Sequence, residues 1–146
     1  MKYLVLSFLV FLPLLSFSQN DCPNRESFEL IVKVDQEGFY QQQINMSPYF
    51  VNQGILQLYP GEKVFVETEI NNDKIINLKT VKKVIHPEKT IEIEFKQAVN
   101  GKVHENMILT VNNPFDKELK YSALIYILNH SKWVETSIIP VFPKLL

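Results

Sequence analysis

The sequence predicts an all-β protein, built as an antiparallel sandwich of about eight short strands. Apolar and polar side chains alternate with a period of two in several segments, which is the pattern of a strand with one buried face. Turn-forming dipeptides such as Pro60-Gly61 and Asn100-Gly101 separate these segments, and no segment has the period of an amphipathic helix. A chain of 146 residues is expected to form one domain with a sizeable core.

The predicted strands follow one another at close spacing. Residues 28–34 and 39–44 form the first expected hairpin. Pro60-Gly61 introduces a later strand, because proline fixes φ and glycine accepts a positive φ. Residues 121–128 are apolar on both faces, which predicts a central strand covered on both sides. The remaining strands are expected at residues 64–70, 75–85, 90–95, 107–111 and 133–139.

One buried face per strand implies a shared hydrophobic core. In residues 90–95 the isoleucines fall on the inner side, whereas Glu92 and Glu94 fall on the outer side. A slip of one residue would exchange the two faces, so the register decides which side chains are buried. The side chains expected in the shared core are Val64, Val66, Ile91, Ile93, Leu109 and Val111.

The N-terminal segment has the order of a secretory signal peptide. A basic start precedes an apolar run at residues 3–17, and Ser16 and Ser18 are the small residues before the expected cut. An uncleaved membrane anchor is the alternative, but a spanning helix needs roughly 20 apolar residues and Pro13 would disturb it. The sequence therefore predicts cleavage before Gln19.

This organisation divides the chain into residues 1–18 as the signal peptide, 19–26 as a flexible leader and 27–146 as the β-sandwich domain. Cys22, the only cysteine, lies in the leader. A lipid-modified cysteine should follow a small residue, and Asp21 stands there instead. A lone cysteine forms no intramolecular disulfide, so packing must hold the domain, and an intermolecular disulfide stays open.

The charge composition bears on the class of partner. Lys and Arg number 15 against 16 Asp and Glu, so the chain lacks the basic excess that phosphate binding requires. We therefore expect no nucleic-acid partner. No segment after residue 18 is apolar enough to form a transmembrane helix in the mature chain. With the signal peptide, this predicts an exported protein of the bacterial periplasm or the extracellular space.

Two segments resemble a known class of domain. The stretch LYPGEKV at residues 58–64 contains a Pro-Gly-Glu turn that starts an alternating strand, and LTVNNP at residues 109–114 ends a strand on asparagine. In these respects the chain is similar to exported immunoglobulin-like and fibronectin-III-like domains, although it lacks the paired cysteines of antibody-type domains. The resemblance implies an immunoglobulin-like antiparallel β-sandwich and no particular activity, because this fold carries many functions.

No motif for catalysis or metal binding is present in the sequence. His86, His104 and His130 stand apart, without the spacing that places two ligands on one face. There is no Gly-x-Ser-x-Gly turn and no glycine-rich phosphate loop. We therefore predict no metal site, no cofactor and no enzymatic activity.

Two carboxylate pairs, Glu67 with Glu69 and Glu92 with Glu94, invite a glycosidase interpretation, because two acids can flank a glycosidic bond. Each pair, however, is spaced by two residues on the outward face of a predicted strand. If the lysine-rich strand at residues 75–85 lies beside them, cross-strand ion pairs explain the pattern. We favour the ion pairs.

Aromatic and amide side chains concentrate in residues 39–52. Flat rings cover apolar surfaces and amides pair with hydroxyls or backbone, as recognition of a sugar or an extended peptide requires. The alternative is a hairpin whose rings point into the core. The only tryptophan is expected to be a core anchor, with a surface contact as the alternative. The candidate ligand-binding residues are Tyr40, Gln42, Tyr49 and Trp133.

Together these observations predict a non-enzymatic exported module that binds a protein or glycan partner at the cell envelope or outside the cell. The alternative is a small-ligand carrier or an unrecognised envelope hydrolase. An open sandwich favours the binding module, whereas a lined cavity of roughly 300 Å³ or more favours the carrier. The oligomeric state is left open.

Overall fold

The computed structural model describes residues 23–52, 54–72 and 74–143. Within these ranges the chain is mostly β-strand, all strand pairs are antiparallel, and the helical turns are two three-residue 3-10 segments. The all-β prediction is therefore confirmed. The predicted signal peptide at residues 1–18 and Cys22 lie outside the described residues. No helix in the described ranges is long and apolar enough to span a bilayer.

Ten strands are present in the described part of the chain, against about eight predicted. In chain order they are β1 (Phe28–Lys33), β2 (Phe39–Ile44), β3 (Phe50–Asn52), β4 (Ile55–Leu56), β5 (Glu62–Asn71), β6 (Lys74–Val81), β7 (Thr90–Asn100), β8 (Val103–Asn112), β9 (Ala123–Ile127) and β10 (Lys132–Thr136). The short β3 and β4 carry no alternating pattern of their own and pair only with each other.

The largest sheet has four strands in the order β6-β5-β7-β8, and β1-β2, β3-β4 and β9-β10 form three separate hairpins. The two predicted turns border the large sheet. Across Pro60-Gly61, the Glu62 amide donates to the Tyr59 carbonyl at 3.1 Å, and Gly61 has a φ of 98°. This is a turn with proline second and glycine third, as the sequence predicts. Asn100-Gly101 likewise connects β7 to β8.

One face of the large sheet carries the main hydrophobic core. Val64, Val66 and Ile91 are buried there, as predicted. Ile93 and Val111 pack against them but are only partly buried. The prediction for Leu109 is wrong, since this side chain is 40% exposed. Leu109 lies on β8, an edge strand of the sheet, and none of the described strands flanks the outer side of β8.

The β1-β2 hairpin covers the same face of the large sheet with a second apolar cluster. Leu30, Val32 and Ile44 are buried in it, and Met107 of β8 packs against them. The side-chain amide of Gln97 also joins the two layers, since it accepts from the Lys33 amide at 2.9 Å and donates to the Lys33 carbonyl at 2.7 Å. The β1-β2 hairpin is therefore joined to the large sheet through this second cluster.

The prediction of a doubly covered central strand at residues 121–128 is wrong. β9 pairs only with β10 among the described strands, and its side chains Leu124, Ile125 and Tyr126 are exposed. Apolar side chains on both faces occur here on a hairpin strand whose two faces are exposed. The sequence pattern alone does not separate this structure from a buried central strand.

Candidate functional site

Arg25, the only arginine of the chain, is the most deeply buried ionic group that the structure describes, at 1% exposure. Its guanidinium donates from Nε to Glu62 Oε1 at 2.6 Å and from Nη2 to Glu62 Oε2 at 3.0 Å. It also donates to the Gln57 carbonyl at 2.7 Å and to Ser47 Oγ at 3.0 Å. This geometry uses the planar fork of arginine, which a lysine ammonium does not reproduce.

Two tyrosine rings enclose the Arg25 guanidinium. Its central carbon lies 4.8 Å from the ring centroid of Tyr49 and 4.7 Å from that of Tyr59, within the range of cation–π attraction. Burial raises the pKa of the Tyr49 hydroxyl, and the Glu62 carboxylate adds to this effect while Arg25 opposes it. The rings exclude water and so strengthen the ion pair between Arg25 and Glu62.

The Pro60-Gly61 turn supplies two members of this cluster. Because the turn reverses the chain, Tyr59 and Glu62 come close enough for Glu62 Oε2 to accept from the Tyr59 amide at 2.7 Å. Arg25 itself is held by backbone hydrogen bonds with Ser47 in both directions, at 2.8 and 3.3 Å. The flexible leader predicted for residues 19–26 therefore does not extend through Arg25, which is part of the fold. The hydrogen bonds of its guanidinium are already made within the protein, so this cluster is a structural anchor.

Two surface clefts are candidates for a small ligand. One, of about 290 Å³, is lined by Pro23, Pro48, Tyr49, Phe50 and Asn52, among others. The other, of about 530 Å³, lies around Thr68 and Ile70 of β5 and Lys89. Both clefts are open to solvent.

The four predicted ligand-binding residues lie in three separate places. Tyr40 and Gln42 are neighbours on one side of β2, where the Tyr40 hydroxyl donates to Gln42 Oε1 at 2.6 Å. The Tyr40 ring packs against the β1-β2 cluster and is half-buried. Tyr49 is half-buried beside Arg25 and lines the smaller cleft. Trp133, expected as a core anchor, is 56% exposed on β10.

Trp133 belongs to a projecting segment, the arm, which comprises residues 119–141. The base of the arm is fixed in the main core, since Leu119 is buried there and exchanges backbone hydrogen bonds with Val141 at 2.9 and 3.0 Å. Asn113 stabilises this base, because its side-chain amide donates to the carbonyls of Val141 at 3.0 Å and Lys117 at 2.7 Å. These contacts tie the base of the arm to the main core.

Beyond its base, the arm exposes apolar side chains on both faces of the β9-β10 hairpin. Trp133 lies directly opposite Tyr126, and the two ring centroids are 5.2 Å apart. Both rings are exposed, at 56% and 43%. Tyr121, Leu124, Ile125 and Ile139 are also exposed. Exposed apolar patches of this kind mark interaction surfaces in soluble proteins.

The carboxylates that resemble a glycosidase pair are engaged with lysines and an amide. Glu67 lies 3.3 Å from the Lys79 ammonium and 3.2 Å from that of Lys89. Glu92 pairs with Lys63 at 2.5 Å, Glu94 pairs with Lys96 at 3.5 Å, and Glu69 accepts from Asn77 at 2.8 Å. The cross-strand pairing expected for Glu67 is present, although its side chain is more buried than an outward-facing position implies.

The pKa of Glu67 reflects two opposing effects. Burial raises it, but the ammonium groups of Lys89 and Lys79 together outweigh burial and hold the pKa below its ordinary value. A lowered pKa stabilises the fold above the ordinary carboxyl pKa, and this stabilisation is lost as the pH falls through the folded value.

Glu67→Gln should therefore flatten the acid limb of the stability profile. We expect the free energy of unfolding of the wild type to decrease below about pH 4.3, and that of the variant to decrease less steeply. Urea denaturation at a series of pH values measures both slopes. Glu69→Gln, which removes an exposed carboxylate from the same strand, is the matched control and should keep the wild-type slope. Equal slopes for all three proteins would contradict the role given to Glu67.

Comparisons with known proteins leave the function to be argued from this geometry. No family model, no curated protein and no solved structure matches the chain significantly. Fold and site together define an all-β protein with one internal arginine anchor and one exposed aromatic arm. Of these two features, the arm is the one that is accessible to another molecule.

Proposed function

We propose that this protein is a non-enzymatic exported module that binds a partner protein at the cell envelope or outside the cell. In this proposal the arm is the contact surface. The observation that supports it most strongly is the exposed aromatic pair of Tyr126 and Trp133. Tryptophan and tyrosine are the residues most enriched at the energetic centres of interfaces. Their rings lie on a hairpin whose base is tied to the core. Binding should therefore cost little conformational entropy.

The aliphatic neighbours of the aromatic pair favour a protein over a glycan. Leu124 is exposed on the same face of β9 as Tyr126, two residues away along the strand. Apolar side chains of this kind contribute to a protein interface by burial of area. A sugar would need several convergent hydrogen-bonding groups around a ring instead. A glycan is therefore the alternative partner, and the experiment below separates the two.

The alternatives of a carrier and a hydrolase have less support. A volume of about 530 Å³ in the larger cleft would fit a small ligand, but a carrier encloses most of its ligand, and both clefts are open. The carboxylates that suggested hydrolysis are each held by a lysine or an amide, as described above. These contacts support structural roles for them.

The finer fold assignment is also a proposal. An immunoglobulin-like or fibronectin-III-like sandwich is supported by the four-stranded antiparallel sheet and by the second layer that β1 and β2 place on its apolar face. Such domains commonly present their binding residues at hairpins and loops on a rigid scaffold. The arm would be the equivalent feature here.

Trp133→Ala is expected to weaken partner binding by about 2 kcal/mol or more, the loss typical of a central interface tryptophan. Because Trp133 is 56% exposed in the free protein, the melting temperature should change little. The measurement is capture of envelope and culture proteins on the immobilised wild type and variant, followed by titration of the captured protein. A glycan array with the same two proteins tests the alternative partner.

Phe39→Ala is the matched control, since Phe39 is a similarly exposed aromatic residue on β2, at 53%. It lies in the segment that the sequence favoured for binding, so it also compares the two candidate surfaces. Binding that is lost with Phe39→Ala and kept with Trp133→Ala would move the site to β2. If the protein binds a glycan on the array and captures no protein, the partner is a glycan and the proposal of a protein partner is wrong.

A further inference from the structure

We propose that the outer edge of β9 pairs with β9 of a second copy of this chain, forming a four-stranded sheet across a two-fold axis. This inference rests on the proposed function in one respect, because both use the arm. It concerns a different surface, however. The aromatic pair lies on a face of the hairpin, whereas the pairing uses backbone groups at the edge.

The first observation is that β9 has an open edge without protection. Among the described strands β9 is hydrogen-bonded only to β10, so half of its backbone donors and acceptors point outward. Natural proteins protect such edges with charged side chains, proline or bulges. The sequence of β9, Ala-Leu-Ile-Tyr-Ile, contains none of these and shows regular pairing with β10.

Three other edge strands, β6, β8 and β10, are protected in the usual ways. β10 carries Lys132 and Glu135, and β8 carries His104 and Glu105. β6 carries two lysines and an irregular register near Asn77, which has a φ of 53°. The outer edge of β9 therefore lacks the protection that the edges of β6, β8 and β10 have.

The second observation is that β9 is complementary to itself. In antiparallel pairing centred on Ile125, this residue faces its own copy, Leu124 faces Tyr126, and Ala123 faces Ile127. The side chains of each pair are apolar and lie opposite each other on the same face of the joined sheet, where they can pack together. A two-fold axis perpendicular to the sheet generates this register, as a closed dimer requires.

The third observation concerns charge. In this dimer the strand order is β10-β9-β9-β10, so Lys132 and Glu135 lie on the two outermost strands. No charged side chain is taken out of water at the centre, so the dimer avoids the desolvation penalty of a buried charge. The axis also leaves both pairs of Tyr126 and Trp133 on the same face of the joined sheet. The dimer would thus present the proposed partner surface twice.

The expected affinity is modest, because the edge of a five-residue strand buries less than the roughly 800 Å² per partner of a standard interface. Analytical ultracentrifugation should show reversible dimerisation of the purified wild type at high protein concentration. A wild type that stays monomeric at roughly 0.5 mM would overturn the proposal.

Ile125→Lys should abolish the dimer, because it places two like charges directly opposite each other at the axis. Val134→Lys is the matched control. It adds the same charge on the same face, but Val134 lies opposite Ile125 on β10, so the two added charges would be roughly 14 Å apart and largely screened. Equal dimerisation of the wild type and both variants would contradict pairing through β9.

A charge exchange tests the register itself. Ile125→Lys and Ile125→Glu should each be monomeric alone, and an equimolar mixture should recover the dimer, since opposite charges then face each other. Failure of the mixture to associate, with a dimeric wild type, would overturn the proposed register. Circular dichroism of each variant confirms that it is folded.

Cross-linking gives a second measurement that does not depend on charge. In a Cys22→Ser background, Ile125→Cys should form a disulfide-linked dimer on mild oxidation, whereas Val134→Cys should not, because only paired positions bring two Cα atoms within disulfide reach. The absence of a cross-link from Ile125→Cys would count against the proposal. Trp133→Ala should keep the dimer while it loses the partner, which separates the failure of this inference from the failure of the proposed function.

Discussion

Replacement of Arg25 by alanine is expected to lower the free energy of unfolding by about 3 to 5 kcal/mol, the loss typical when one partner of a buried ion pair is removed. The variant leaves the Glu62 carboxylate, which is 9% exposed, without its countercharge. It also leaves an empty space between the rings of Tyr49 and Tyr59. Chemical denaturation monitored by the fluorescence of Trp133 measures the loss.

Removal of both charges should be less damaging than removal of one. The double variant Arg25→Met, Glu62→Leu replaces the pair by apolar side chains, a change that is often close to neutral when they fill the same volume. Lys63→Ala is the control, since it breaks the exposed ion pair with Glu92 and should change stability little. A loss below about 1 kcal/mol for Arg25→Ala would show that the buried pair does not anchor the fold.

Ile91→Ala should destabilise the protein by about 2 to 5 kcal/mol, because it removes a fully buried side chain and leaves a cavity. Ile91 is 5% exposed in the main core, directly opposite Val66 of the adjacent strand. Ile93→Ala should cost less, since Ile93 is only partly buried. The urea concentrations at the midpoints of denaturation rank the variants by stability.

The residue between these two isoleucines is the control. Glu92 points to the opposite face of β7 and pairs with Lys63 near the surface, so Glu92→Gln should change stability by less than about 0.5 kcal/mol. Similar losses at positions 91 and 92 would mean that the strand is displaced by one residue from the register described here.

The local features of the fold were predictable from the sequence, because their causes are local. Alternation predicted β5 and β7 with their buried faces, and Pro60-Gly61 and Asn100-Gly101 predicted two turns through the φ values that they favour. These signals span fewer than a dozen residues each. The structure confirms them with Val66 and Ile91 in the core.

The features that depend on distant partners were not predictable in this way. Arg25 looked like part of a polar leader because Gln57 and Glu62 are 32 and 37 residues away. A single arginine in a chain that otherwise uses lysine was the available signal, since arginine is preferred in buried ion pairs.

The candidate site also depends on contacts between residues that are distant in sequence. The concentration of rings and amides at residues 39–52 suggested one surface, but Tyr40 and Tyr49 are divided between two hydrophobic clusters. Trp133 was included among the candidates, but its exposure and its contact with Tyr126 depend on how the arm is placed. That placement is set by Asn113 and Leu119, which lie outside β9 and β10.

The position of Arg25 has a mechanical consequence. Its guanidinium is bonded to Glu62, the first residue of β5, so tension applied to the chain ahead of Arg25 passes straight into the four-stranded sheet. The strands from β1 to β4 all lie between these two residues in sequence, so the load that the ion pair carries does not pass along them. A pull on the N-terminal side therefore meets a short, buried clamp before it reaches the hairpins, and those hairpins would stay folded until the clamp gives way.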